Sequence, residues 1–183
     1  MPNPVTITLS GQQVADRIRS RVADAVREAA DAYVVLEPSR ALDAMRVIRD
    51  DEVLDGKFLV QMCSVDMITR IDVVYHFSSL AQNHIFEVKV PVDHERPEVA
   101  SISPLWVGAW LQEREIYDLM GVNFPGHPAL TRLFLWDAFP GHPLRKDFMS
   151  LPGGQKSGLS QFPKQVPGQT GQEFRPRNVG SGQ

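Results

Sequence analysis

Apolar side chains recur at spacing four near the start of the chain. Val14, Ile18, Val22 and Val26 fall on one side of a helical turn, with Arg17, Arg21, Asp24 and Arg27 elsewhere around it. With Ser10 placed to cap the N-terminus, the pattern predicts an amphipathic helix over 10–32. The period then changes. Tyr33-Val34-Val35-Leu36 reads as a short strand that Pro38 stops. Residues 39–49 return to helical spacing, with Leu42, Met45, Val47 and Ile48 apolar. Three strand-like runs follow. Residues 57–66 are strongly apolar, 69–77 are β-branched and aromatic, and 84–92 alternate, with Ile85, Phe86, Val88 and Val90 against Glu87 and Lys89. The links between these runs are short, which favours antiparallel hairpins over βαβ crossovers. The expected fold class is α+β: a small mixed, mainly antiparallel sheet with helices packed on one face. A third helix is predicted from Ser103 as N-cap and Pro104 as first helical residue. It runs through Trp106, Trp110, Glu113 and Tyr117 to Met120, where Gly121 ends it.

The texture changes after this helix. Pro125-Gly126-His127-Pro128 and Pro140-Gly141-His142-Pro143 are two copies of one tetrapeptide, set 15 residues apart. Each proline restricts the residue before it to extended backbone, so this stretch is expected to lie along something rather than form an element. Beyond Leu151 the chain is rich in Gly, Pro and Gln. Leu151, Leu159, Phe162, Val166, Phe174 and Val179 are too widely spaced to bury a core. Three parts are therefore expected: an α+β domain over 1–121, an extended motif segment over 122–150, and a tail over 151–183 that is partner-bound or disordered.

Composition narrows the chemistry. The chain has 183 residues and a formal net charge of −3. Residues 151–183 hold Lys156, Lys164, Arg175 and Arg177 against Glu173, so the tail carries +3 and the remainder −6. An acidic body argues against nucleic acid as the main partner. No apolar run is long enough to cross a bilayer, and the N-terminus lacks the basic and apolar regions of a secretory signal, so an intracellular location is expected. Cys63 is the single cysteine. One thiol excludes an intrachain disulfide, and an iron–sulfur cluster held by this chain's thiolates alone. Its apolar context, Leu59-Val60-Gln61-Met62-Cys63, predicts a buried packing residue.

Three constellations carry charge. In Glu113-Arg114-Glu115-Ile116-Tyr117-Asp118, Arg114 and Asp118 stand four apart, within reach as an ion pair. The carboxylates serve either acid–base or metal chemistry, or a charged face that holds neighbouring segments by salt bridges. His127 and His142 precede prolines at a spacing that fits no helical ligand pair. A histidine in such a turn more often caps backbone groups through its ring nitrogens. Pro143-Leu144-Arg145-Lys146-Asp147-Phe148 suits an interface with opposite charges on another chain, or a solvated turn. If Arg145 meets a charge on another chain, Arg145→Ala costs little stability in the isolated chain. Trp106 and Trp110 read as core residues of the third helix, and Trp136 as an interface anchor.

Residues 113–128, Glu-Arg-Glu-Ile-Tyr-Asp-Leu-Met-Gly-Val-Asn-Phe-Pro-Gly-His-Pro, resemble the pattern of the C-type, 30-kDa subunit family of NADH:quinone oxidoreductase, complex I of the respiratory chain. So do residues 141–148, Gly-His-Pro-Leu-Arg-Lys-Asp-Phe. The match is strong over 104–148, and two motifs in the right order make it specific. It places Glu113, Arg114, Glu115 and Asp118 on the family's charged helix positions, His127 and Pro128 on its His-Pro step, and Arg132 on a basic position after it. His142, Pro143, Arg145, Lys146 and Asp147 fall on its closing motif. Thr131 departs from the family, which commonly has a basic residue there. The resemblance implies a structural subunit of the hydrophilic arm, with no catalytic, cofactor-binding or metal site of its own. Iron–sulfur clusters, FMN and quinone are expected in partner subunits. The implied partners are the D-type (49-kDa) subunit and neighbouring iron–sulfur subunits. The implied place is peripheral, on the cytoplasmic face of the inner (plasma) membrane, reached only through those partners. Related membrane-bound hydrogenases and ferredoxin- or F420-linked complexes contain an equivalent subunit, and a stand-alone metalloenzyme using Glu115, Asp118, His127 and His142 would need those four side chains to converge.

Overall fold

The computed structural model describes residues 5–139 and 141–149. The expected tail over 151–183 lies outside the described residues. Helix α1 (Gly11–Arg19) opens the fold behind a short strand β1 (Ile7–Thr8). The Ser10 side chain accepts from Gln13 N, and the Gln13 side chain reaches back to the Ser10 backbone, a reciprocal capping box. Val14 and Ile18 are buried on the inner side of the helix. The helix does not continue to residue 32. A 3-10 turn (Ala23–Ala25) leads into strand β2 (Val26–Ala29), which pairs antiparallel with β3 (Tyr33–Leu36). Tertiary pairing overrides helical spacing here: β3 gains a ladder neighbour, and β-branched Val26 suits a pleated strand. Gly11 makes this geometry possible. A Cβ at that position would stand 2.0 Å from Tyr33 O and 2.3 Å from Ala30 O.

Helix α2 (Ala41–Asp50) follows, and then the meander β4 (Phe58–Asp66), β5 (Arg70–Ser79) and β6 (His84–Asp93). The sheet order is β2-β3-β6-β5-β4, with β1 also beside β6. β4, β5 and β6 pair antiparallel, whereas β1 and β3 run parallel to β6. The register sets Ile71 opposite Val92, Val73 opposite Val90, Tyr75 opposite Val88 and Phe77 opposite Phe86. These residues form one hydrophobic cluster with Val14 and Ile18 of α1, Met45 and Ile48 of α2, and Ile116 and Met120 of the last long helix. The mixed sheet with helices packed on it is the α+β architecture expected from the strand pattern.

Cys63 corrects one expectation. It is exposed, because strand alternation turns Met62 into the core and Cys63 outward. β4 is an edge strand, and Gln112 covers part of that edge by accepting the Met62 N–H.

Helix α3 (Ala109–Met120) starts later than Ser103. The preceding residues are drawn into turns instead: Ser103 Oγ pairs with Ser101 Oγ, and Trp106 Nε1 donates to Gly56 O at 3.0 Å. Trp106 is buried against Phe77, ring centroids 4.9 Å apart, so its expected core role holds outside the helix. Trp110 is half-buried. Gly121 ends α3 as expected, with φ +77. A last short turn of helix, α4, spans Lys146–Met149. No helix among the described residues is long and apolar enough to cross a membrane.

Candidate interface site: a strap fastened to helix α3

The chain after α3 folds back over that helix as a strap. Its first residues are apolar, and Val122 and Phe124 are buried. Beside them, 97–101 and 123–125 run together: Asn123 N donates to Pro97 O, Val99 N to Asn123 O, and Ser101 N to Pro125 O. The stretch is thus paired with the body at its start.

Glu113 faces inward from α3 and is fully buried. Its carboxylate accepts Ser101 Oγ at 2.6 Å and Ile102 N at 2.7 Å. Burial pushes the carboxyl up to about 7, against the pull of the Ser101, Ile102 and Ser103 donors. Glu115, two residues on, is exposed.

Asp118 holds the strap's middle. Its side chain has no exposed surface. Oδ2 accepts the successive N–H groups of Leu133, Phe134 and Leu135 at 2.9, 2.7 and 2.9 Å, while Oδ1 pairs with Arg132 Nη1 at 2.9 Å. Burial alone would raise this carboxyl, but the three backbone donors and Arg132 outweigh it and hold it below the ordinary carboxylate range. Arg114 does not make the expected ion pair with Asp118. It lies over the Trp110 ring and donates to Thr131 O, Thr131 Oγ1 and Arg132 O at 3.0, 3.0 and 2.9 Å. The strap takes both Arg114 and Asp118. Thr131 supplies two of those acceptors. Arg132 also reaches Phe139 O at 3.1 Å and Gly141 O at 3.4 Å.

Both histidines cap backbone groups. His127 Nε2 donates to Trp110 O at 3.0 Å, its Nδ1 accepts Ala129 N at 3.0 Å, and its ring stacks on Trp110. Pro128 beside it is exposed. His142 Nδ1 donates to Asp118 O at 3.0 Å, and burial pushes the ring's pKa down, towards the neutral form. His142 rests on Gly121, where a Cβ would stand 2.5 Å from His142 Cδ2. Pro143 is half-buried, and Leu144 N donates to Leu119 O at 3.1 Å. Two bonds, from His142 and Leu144, therefore fix this stretch to the end of α3.

The closing residues reach across to the sheet. Arg145 Nη2 donates to His94 O and to His94 Nδ1, the latter at 3.1 Å. Lys146 N donates to Asp66 Oδ2 at 2.8 Å, and His94 Nε2 lies 3.3–3.4 Å from the Asp66 carboxylate. Burial would raise the Asp66 carboxyl, but the Lys146, Ile68 and His94 donors bring it below the ordinary range. Arg145 thus has partners in its own chain, and Arg145→Ala is expected to cost stability in the isolated protein. Asp66 and His94 were missed by sequence reasoning. Their partners lie 80 and 51 positions away, and no local spacing marks them.

Asp66, His94 and Asp147 bring ligand atoms within 4.8 Å of one another. Hydrogen bonds already engage two of the three: Arg145 Nη2 donates to His94 Nδ1, and Lys146 N and Ile68 N donate to the Asp66 carboxylate. Among the described residues Glu115, Asp118, His127 and His142 form no group within ligating reach. Glu115 stands apart on the outer face of α3.

The strap therefore arises from motif residues over 113–148. A profile described as respiratory-chain NADH dehydrogenase, 30 Kd subunit, matches residues 34–153. The chain belongs to that 30-kDa subunit family. The C-type subunit of NADH-quinone oxidoreductase from Roseiflexus sp. (strain RS-1) is 38% identical over 148 residues, covering 77% of this chain and 85% of the relative. Its counterpart in Moorella thermoacetica is 43% identical over 133 residues, covering 71% and 89%. Among solved structures, the trypsin-resistant fragment of Nqo5 is similar, with TM-score 0.54 and 28% identity over 65% of this chain and 98% of that one. A chain of an archaeal membrane-bound sulfane sulfur reductase shares the fold, with TM-score 0.61 at 21% identity over 77% and 86%. The 30-kDa family match extends over α3 and the strap.

Proposed function

We propose that this chain is a structural, cofactor-free subunit of the hydrophilic arm of an NADH:quinone oxidoreductase. It supports electron transfer from NADH to quinone coupled to proton translocation. It sits peripherally on the cytoplasmic face of the membrane and packs against the D-type (49-kDa) subunit and neighbouring iron–sulfur subunits. Redox centres belong to those partners.

The observation that carries this reading is the use of the motif's chemistry. Asp118, a fully buried carboxylate of α3, accepts four donors from the strap. Arg114, His127 and His142 likewise bond backbone carbonyls. Groups committed in this way shape a surface rather than turn over a substrate. With one cysteine in the chain, a four-thiolate cluster needs ligands from elsewhere. The remaining motif groups, Glu115, Pro128, Lys146 and Asp147, are exposed and available to other subunits.

Gentle detergent extraction and affinity purification on this chain test the reading. Recovery of a large assembly with flavin, iron–sulfur clusters and NADH:quinone activity is expected. Recovery of hydrogenase or ferredoxin-linked subunits would move the chain to a related complex, and recovery of the chain alone would refute the subunit role.

A further inference from the structure

The β4–β5 hairpin ends on a residue ill-suited to its backbone. Ile68 sits at the tip with φ +71, in the left-handed region that disfavours β-branched side chains. The side chain is 68% exposed, so burial within the chain does not offset the strain. Nor is the tip loose. Asp66 Oδ1 accepts the Ile68 N–H at 2.7 Å, and Asp66 is itself buried.

Across a groove of about 650 Å³ stands Leu144, 61% exposed and fixed by its N–H on Leu119 O. His94, Pro143, Arg145, Lys146 and Asp147 complete the lining. Its charge is unevenly compensated. The Asp66 carboxylate beneath is taken by Ile68 N, Lys146 N and His94. Arg145 Nε is buried without a hydrogen bond, 3.5 Å from Asp147 Oδ1. Lys146 gives its backbone N–H to Asp66, while the side chain is exposed. Two exposed aliphatic residues with hydrogen-bonded backbone thus line the groove beside an exposed lysine and a guanidinium that is only partly compensated. The missing complement is an apolar residue with a carboxylate beside it.

We propose that this groove receives a carboxylate-bearing apolar segment of a partner subunit, its aliphatic side chain between Ile68 and Leu144 and its carboxylate on Lys146 in the field of Arg145. The proposal rests on the subunit reading above and names the chemistry of one contact within it. A strained, exposed isoleucine held in place by a buried carboxylate is a preorganised anchor, which lowers the ordering cost of docking.

The test compares Ile68→Asn and Lys146→Glu with the wild-type chain, co-expressed in competition and recovered in the intact assembly. Asparagine tolerates the left-handed backbone, so Ile68→Asn removes the apolar contact without breaking the turn. Each variant is expected to be recovered about tenfold less than wild type, a loss typical of an interface anchor. The melting temperature of the isolated Ile68→Asn chain should be unchanged or raised. Recovery of both variants at the wild-type level overturns the groove while leaving the subunit reading intact. Loss with Ile68→Asn but not with Lys146→Glu overturns the carboxylate. Failure of the wild-type chain itself to recover other subunits overturns the subunit reading, and the groove's partner with it.

Discussion

The sheet body and the strap are held by different forces. In the body, Tyr75, Phe77, Ile71 and Leu36 are buried together with Met45 and Ile48, and the contacts are apolar and spread over many residues. Beneath the strap, a few buried acceptors of the body gather many donors: Asp118 takes four, and Asp66 takes three. Apolar burial is additive and tolerant of small changes in shape. A buried carboxylate is neither, because removing it strands every donor at once. The strap's outer surface is therefore shaped by a few polar anchors beneath it.

The largest expected effect separates the two regimes. Asp118→Ala takes the buried acceptor away from Arg132 and from the Leu133, Phe134 and Leu135 N–H groups, at a cost of roughly 3–5 kcal/mol. Phe77→Ala, which empties the body, costs about as much through lost burial and a cavity. Urea denaturation should give similar midpoint losses for the two. A neutral Asp118→Ala would break the comparison.

Glu113 comes next. Its carboxyl is raised to about 7 in the folded chain, from an ordinary value of 4.5. The folded state therefore binds the proton more tightly than the unfolded state does. The stability this provides is fully present below about pH 4.5 and is lost as pH rises to about 7, a fall of roughly 3 kcal/mol. Glu113→Gln should flatten that slope. Stability curves of the two proteins over this pH window check it, and parallel curves would contradict it.

Gly121→Ala is expected to cost about 2–3 kcal/mol. It places a Cβ both at positive φ and against the His142 ring. Thermal denaturation measures the loss. The smallest effect is that of Arg145→Ala, about 1–2 kcal/mol, through loss of its hydrogen bonds to His94. Unchanged stability in the isolated chain would favour the reading in which Arg145 serves another chain alone.

Much of this was legible in the residues. Alternation at 84–92, the β-branched run before it and the capping position at Ser10 predicted local structure, because strands and caps are read from neighbouring residues. Spacing of four at Val14 and Ile18 was equally local. The same spacing misled at Val22 and Val26, since β2 exists only because β3 needs a ladder neighbour. Alternation also decides Cys63, whose apolar neighbourhood hid an edge strand with one face outward. The motif showed which strap residues matter, but spacing paired Arg114 with Asp118 when each holds a separate stretch of strap backbone. Asp66 and His94 could not be found, because their partners are distant in sequence and meet only after the hairpin and the closing motif come together.

The most direct test of the strap is amide hydrogen exchange at Leu133, Phe134 and Leu135 in the wild-type chain and in Asp118→Asn. The amide variant removes the charge and keeps the shape. The account predicts protection at all three amides in the wild type, and its selective loss in the variant while β5 and β6 stay protected. Equal protection at the three amides in both proteins would contradict it.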